Sequence, residues 1–439
     1  MKSTILKFCI CIIVALSFSA CSIVGLEPKN LISPPLTNKD QQKIYELLAG
    51  VDGEIKFLYP KRGDLRSAVL TYDMNGDNID DSASFIFGAG DGSEIVFMIS
   101  SENELEVSAK FTNLSTQIDK VLLSDLDGNG IDELLVGWGS PQSLSSKISV
   151  YQYVDGSFVE HILEQNYDDF ISADIDNDNI DEIFIAKLFL PSEEEHLNDR
   201  HAKGMIFELA GKLELTSTVA LNNSIVKYSS CQFVKINKNE NAILLDGVLA
   251  QGNMITEIVM YKNDNFTSVL SNYSQETNYN NFERPAILSM KSQDIDGDGI
   301  TELMMVYLPE YFDEHKSISA VNYYVDWVQY NSNKNTLTTI KRSIANTDFG
   351  FMFTIPLEKE IICTELEENV FRIGEIVNIS HTNQSYKKNY IDIKFFTREQ
   401  WSDTNGYKYL FVASNGMVCS AKTLIFDDYN LLSNIKSIS

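Results

Sequence analysis

The chain has 439 residues, 44% hydrophobic and 11% aromatic, enough to bury a core and long enough for more than one domain. Its 62 acidic residues against 35 Lys and Arg leave a net charge of −27, which excludes nucleic acid as a partner because phosphates need a basic footprint. After the N-terminal apolar run, no stretch is long and apolar enough to span a membrane.

Lys2 and Lys7 precede an apolar run from Phe8 to Leu16, which has signal-peptide proportions. Ser19 and Ala20 immediately before Cys21 resemble a bacterial lipobox, with Phe18 in place of the usual Leu. The resemblance implies that residues 1–20 are removed and that Cys21 carries lipid. Two acyl chains then hold the protein on the extracytoplasmic face of the cell membrane. An ordinary signal peptide cleaved nearby is the alternative. Residues 21–37, with Pro28, Pro34 and Pro35, read as a tether.

Residues 38–63 carry a helix from Asn38 to Gly50, with Ile44, Leu47 and Leu48 on one face, then a strand over Glu54–Tyr59. That strand is a candidate to close a ring by joining the last repeat. Repeats then run over 64–117, 118–166, 167–226, 227–284 and 285–347, each with about four short strands. In the second, strands are expected at Glu133–Trp138, Lys147–Val154 and Phe158–Leu163, with a hairpin turn at Asp155-Gly156.

Four acidic loops of one grammar mark these repeats. Side-chain oxygens stand at positions 1, 3, 5 and 9: Asp73, Asn75, Asp77 and Asp81; Asp125, Asp127, Asn129 and Glu133; Asp174, Asp176, Asp178 and Glu182; Asp294, Asp296, Asp298 and Glu302. Ile79, Ile131, Ile180 and Ile300 occupy position 7, where a backbone carbonyl completes the wrap of a hard cation. Gly or Asn at position 6 permits the tight turn such a wrap needs. The expected cofactor is Ca2+, structural, at up to four sites. The loops hold seventeen of the acidic residues, a density that repels itself without counter-cations. Asn75 and Asn129 lower the local charge and weaken their sites.

Short apolar runs on both sides place each loop at a hairpin tip rather than between two helices. The first Asp positions are 73, 125, 174 and 294, so a degenerate unit stands between the last two, at Asn237–Asn241. No site is assigned there. A period of about fifty residues predicts propeller blades. The fold expected is mainly β: a β-propeller of about five four-stranded blades over 64–347, and a small C-terminal α+β domain over 348–439. One or two further degenerate blades are the alternative for the latter. Its helix is expected near the end, where Leu431, Leu432, Ile435 and Ile438 have helical spacing.

At its loops the chain resembles the VCBS/FG-GAP repeat proteins, calcium-loop β-propellers that include the integrin α-subunit head. Phe87-Gly-Ala-Gly90 and Val136-Gly-Trp-Gly139 resemble that family's second motif. The order of lipobox, helix, acidic-loop blades and C-terminal segment resembles uncharacterised clostridial envelope lipoproteins. The resemblance implies metal ligation at the loop positions named above.

Cys231, Cys363 and Cys419 form no disulfide framework; one Cys363–Cys419 bridge or three buried thiols are the readings. No nucleophile and base stand in a recognisable motif, and the carboxylates are taken by the loops. His196 and His201 lie in a charged insert, Pro191–His201, which reads as a solvated loop; a transition-metal site with its three glutamates is the alternative. The expected function is a non-catalytic binding or scaffolding module for a protein or glycan partner. The alternative is an enzyme, or its accessory subunit, that processes envelope polysaccharide or peptidoglycan. Trp138, Trp327 and Tyr311 are candidate contact residues, although Tyr323, Val325 and Trp327 also alternate as core would.

Overall fold

The computed structural model describes residues 39–52, 55–88, 92–101, 104–139, 146–189, 201–269, 282–285, 288, 290–307, 322–331, 336–379, 384–402, 406–413, 415–425 and 431–437. The signal segment, Cys21, the tether, Tyr311 and His196 lie outside them. The chain is mainly β, with six antiparallel sheets of four or five strands. No described helix is long and apolar enough to cross a membrane.

The chain divides into two compact units. The first holds the described residues up to Leu58 together with Ala68–Asp73 and Asp77–Thr116. It contains helix α1 (Lys39–Asp52) and one sheet in meander order, β1 (Val69–Tyr72), β2 (Asp81–Phe87), β3 (Ser93–Ser100) and β4 (Leu105–Asn113). The apolar face read from the sequence is the buried one: Ile44 and Leu48 pack on Ile86, Val96 and Met98. The segment expected as a ring-closing strand instead pairs within this first sheet, where Phe57 bridges Ile86.

The second unit holds Tyr59–Ser67, Met74–Gly76 and Gln117–Ser439. Its first sheet is β5 (Ile118–Ser124), β6 (Glu133–Trp138), β7 (Lys147–Val154) and β8 (Ser157–Leu163). The next is β9 (Asp169–Ala173), β10 (Glu182–Phe189), β11 (His201–Leu209) and β12 (Leu213–Leu221). The next again is β13 (Ile225–Asn237), β14 (Glu240–Leu249), β15 (Met254–Lys262) and β16 (Asn265–Ser268). β5–β8 and β9–β12 lie within the repeats expected over 118–166 and 167–226, whereas β13 starts two residues before the boundary expected at 227. The turn between β7 and β8 has positive φ at both Asp155 and Gly156, as a two-residue hairpin requires.

The fifth sheet of the chain contains β17 (Leu303–Tyr307), β18 (Asn322–Asn331), β19 (Thr336–Asn346), β20 (Phe351–Ile355) and β26 (Ile435–Ser437). Its leading strand is reduced to a single bridge, Gln293 to Glu302. The sixth is β21 (Ile361–Glu367), β22 (Val370–Ile379), β23 (Gln384–Phe396), β24 (Lys408–Val412) and β25 (Val418–Thr423).

This corrects the C-terminal expectation. The described residues after 347 contain no α-helix, only one 3-10 turn at Leu431–Asn434 that leads into β26. β20, expected in a separate domain, pairs with β19 and so belongs to the fifth sheet.

β6, β10 and β14 of the second unit are mostly apolar runs with both faces covered, whereas β8 and β12 leave many side chains exposed. In β10, Ile183 and Ile185 pack toward the sheet before, with Leu135 and Val150. Phe184 and Ala186 pack toward the sheet after, with Ile243 and Leu245. β14 repeats the pattern, since Leu244 faces Leu303 and Met305 of the fifth sheet. Phe351 and Phe353 then meet Phe371, Ile391 and Phe395 of the sixth. Consecutive sheets of this unit are thus joined by apolar layers in chain order.

Candidate metal centres

The first three acidic loops sit between the first two strands of their sheets, at the hairpin tip read from the sequence, and the fourth lies ahead of β17, closed by the Gln293–Glu302 bridge. The loops bend through the left-handed region twice. Position 6 has positive φ at Asn78, Gly130, Asn179 and Gly299. Position 4, which the sequence reading passed over, does so too, at Gly76, Gly128, Asn177 and Gly297. Only Gly and Asn adopt that backbone at small cost, so both positions carry them.

Side chains then lock the turn. The position 1 carboxylate accepts backbone N–H groups from further round the loop: Asp125 from Asn129 at 3.0 Å and Gly130 at 2.8 Å, Asp174 from Asp178 at 3.0 Å and Asn179 at 3.2 Å. Asp294 accepts from Gly297 at 2.7 Å and Gly299 at 2.9 Å. These donors hold the Asp294 carboxyl below the usual carboxylate range. Position 5 accepts the N–H of position 7 in all four loops, at 2.7–2.8 Å.

Position 9 closes three of the loops. Glu133, Glu182 and Glu302 are buried, and each accepts the position 2 N–H at 2.8 Å, from Leu126, Ile175 and Ile295. Each thereby joins two aspartates in a carboxylate triad: Asp125, Asp127 and Glu133; Asp174, Asp176 and Glu182; Asp294, Asp296 and Glu302. Within a triad the ligand oxygens lie within 4.8 Å of one another. An all-oxygen, multiply charged donor set with a pre-bent backbone fits a hard divalent cation.

The first loop does not join them among the described residues. Asp81 is one methylene shorter than Glu, and its Oδ1 accepts the N–H of Ser100 at 2.8 Å. Asp73 still accepts from Asp77 at 3.2 Å and Asn78 at 2.7 Å, so the turn survives without the triad.

Three further side chains border the sites, and the loops alone do not reveal them. The β6–β7, β10–β11 and β17–β18 registers end at Leu134 with Tyr151, Ile183 with Phe207 and Leu303 with Val328, so Gln152, Glu208 and Gln329 stand one step on, level with position 9. Gln152 donates to Asp127 at 2.7 Å, and Gln329 donates to Glu302 at 2.8 Å and Asp298 at 3.1 Å. Burial, then Asp178 and Asp174, raise the Asp176 carboxyl, and the Glu208 charge adds the smallest share. The third site therefore concentrates the most negative charge. In the first sheet, where Ser82 pairs with Met98, the next step brings Ile99, whose side chain offers no oxygen.

Burial, reinforced by the loop aspartates, pushes Glu133 and Glu182 up to about 8. A raised carboxyl pKa means that the cation-free chain holds protons there at neutral pH, and a cation must displace them. Cation addition at pH 7 is expected to release protons into weak buffer, and apparent affinity should fall as pH drops below about 8. Binding without proton uptake or release at pH 7 would contradict this.

The remaining candidates fall elsewhere. Of the candidate contact residues, Trp138 and Trp327 are 2% and 1% exposed and belong to the core, the reading that the alternation of Tyr323, Val325 and Trp327 leaves open. Trp138 Nε1 donates to Ser149 Oγ at 3.0 Å. His201 stacks on Phe189 and His161 bonds Gln152. Cys231, Cys363 and Cys419 are free and buried, and burial raises all three thiols.

No family model and no curated protein sequence matches the chain. Among solved structures, a rhamnogalacturonan lyase of Bacillus licheniformis is similar at a TM-score of 0.31 and 11% identity, over 74% of this chain and 70% of that one. Sqt1 of Saccharomyces cerevisiae is similar at a TM-score of 0.27 and 8% identity, over 80% of this chain and 94% of that one. At TM-scores under 0.5, neither likeness bears on fold or function.

Proposed function

We propose that the chain is a calcium-binding β-propeller of the VCBS/FG-GAP kind, carried on the extracytoplasmic face of the membrane by lipid on Cys21. Its role is that of a non-catalytic binding or scaffolding module. The observation that carries the reading is the recurrence of one carboxylate triad on three hairpins, each closed by a buried Glu. The propeller reading is supported by meander sheets that pack face to face in chain order, with β13 lying against β9 and β9 against β5. Calcium is favoured over magnesium because the donors are numerous and carboxylate-rich, where magnesium keeps its water.

The metal in this reading is structural. The loops touch the neighbouring sheets: the Asp181 N–H of the third donates to Asp125 O of the second at 3.0 Å, and the Thr301 N–H of the fourth to Lys235 O of β13 at 2.8 Å. A cation that stiffens one loop therefore also stiffens a sheet junction.

Glu182→Gln tests the assignment most simply. It keeps the side-chain volume and removes one ligand charge, and it is expected to lower calcium stoichiometry by one while the other sites stay filled. Unchanged stoichiometry would remove the third loop from the set.

Cys21→Ser tests the anchor. The full chain expressed in a bacterium should sediment with membranes, and the variant should not. Equal partition of the two would sink the lipid assignment.

A further inference from the structure

A cavity of about 670 Å3 opens within the second unit, bordered by β5, β9 and β13, by residues 62–66 and by Lys291. Its size falls in the range typical of small-molecule sites, roughly 300–1,000 Å3. In a chain of net charge −27, its wall carries Arg62, Arg66, Lys120 and Lys291 against only Asp64 and Asp169.

Two of these cations serve the floor. Arg62 grips Asp119 through Nε at 2.8 Å and Nη2 at 2.8 Å, and reaches Asp169 through Nη1 at 2.7 Å. Tyr167 donates to the same Asp119 at 2.9 Å. Lys120 Nζ donates to Phe170 O at 2.6 Å and meets Asp169 at 3.4 Å. Because Asp119 and Asp169 are almost fully buried, these pairs are held in place and neutralise each other.

The other two are different. Arg66 uses Nε on Gly63 O at 2.9 Å, and among the described residues neither its Nη groups nor Lys291 Nζ meets a carboxylate. Both side chains are exposed at the cavity. In a chain with 62 acidic residues against 35 Lys and Arg, two cations left without a carboxylate at a cavity reverse the local field. A concave wall focuses such a field and draws in ions of opposite sign.

We propose that this cavity binds a small polar organic anion, with its carboxylate or phosphate held between Arg66 and Lys291. Leu122, Ile171 and Phe233 give the ligand an apolar face to lie on, and Gln232 adds an amide. A charged sugar has that combination of oxyanion, polar rim and C–H face. The proposal rests on the reading of the chain as a binding module and names the class of its ligand.

The test is calorimetric titration of the full chain in calcium with three probes: glucuronate, glucose 6-phosphate and glucose. At least one anion is expected to bind, more weakly as salt rises, while glucose does not. Glucuronate alone identifies a carboxylate ligand, and glucose 6-phosphate alone a phosphate. The double variant Arg66→Ala, Lys291→Ala should lose roughly tenfold or more in affinity. Binding of neither anion, equal binding of glucose, or an unaffected double variant would overturn the proposal. Melting curves of the same samples with and without calcium keep the two readings apart. A calcium-raised melt without anion binding sinks only the cavity ligand, and the double variant should keep that rise because both residues are exposed.

Discussion

Asp246→Ala is expected to destabilise the second unit by about 3–5 kcal/mol, the usual cost of stranding one partner of a buried ion pair. Asp246 of β14 and Arg284 are both fully buried, and Arg284 Nη2 donates to Asp246 Oδ1 at 2.8 Å. Thr256 Oγ1 and Ser230 Oγ add donors to the same carboxylate at 2.5 Å and 3.0 Å. Arg284 Nη1 donates in turn to Thr256 Oγ1 at 2.8 Å and Phe282 O at 3.3 Å. Truncation leaves a guanidinium in the core with no counter-charge. Against a stability of about 5–15 kcal/mol for a folded domain, that loss is severe.

The pair itself need not be stabilising. Replacing both members, as Asp246→Leu with Arg284→Met, should recover most of the loss, because two apolar groups carry no desolvation cost. A melt of Asp246→Ala within about 1 kcal/mol of the parent would show that water reaches the guanidinium. The location is informative: this sheet lost its acidic loop, and β13 turns into β14 through Lys238-Asn239 alone. Where its neighbours have a triad at the hairpin tip, the fourth sheet has a polar network in its interior.

Calcium removal carries the second large effect. Extracellular calcium modules bind with Kd of about 0.1–1 mM, so about 1 mM calcium contributes about 0.4–1.4 kcal/mol per site. Three triads together are worth about 1–4 kcal/mol. Chelation should therefore lower the melting temperature, and calcium should restore it better than magnesium at equal concentration. The third site, with Glu208 beside Asp176 and Asp178, should be the last to empty as calcium is withdrawn. An identical melt in chelator and calcium would contradict the structural role.

Much of this was legible in the chain, and the reason is physical. A cation loop needs oxygens at fixed positions and a left-handed backbone between them, so it writes itself into nine consecutive residues. Its recurrence then marked the sheets, and the strand limits of β6 and β7 fall where the alternation put them.

What escaped depends on register. Gln152, Glu208 and Gln329 reach their sites only because the third strand pairs with the second in one alignment. The cations of the cavity come from positions 62, 66, 120 and 291, which no local pattern joins. Trp138 is an aromatic candidate for surface contact by residue type alone. β6, however, is buried along its whole length. At the C-terminus, Leu431, Leu432 and Ile435 have helical spacing, but Ile435 pairs with Phe353 and the tail becomes a strand. Tertiary pairing outweighs a short helical preference, since one turn of helix gains little alone.

The central claim is that three carboxylate triads hold calcium. Elemental analysis of the purified chain, equilibrated in calcium and then freed of unbound metal by rapid gel filtration, tests it most directly. The triads predict about three calcium ions per chain. A chain that carries none, and that shows no heat on calcium titration, would contradict the claim.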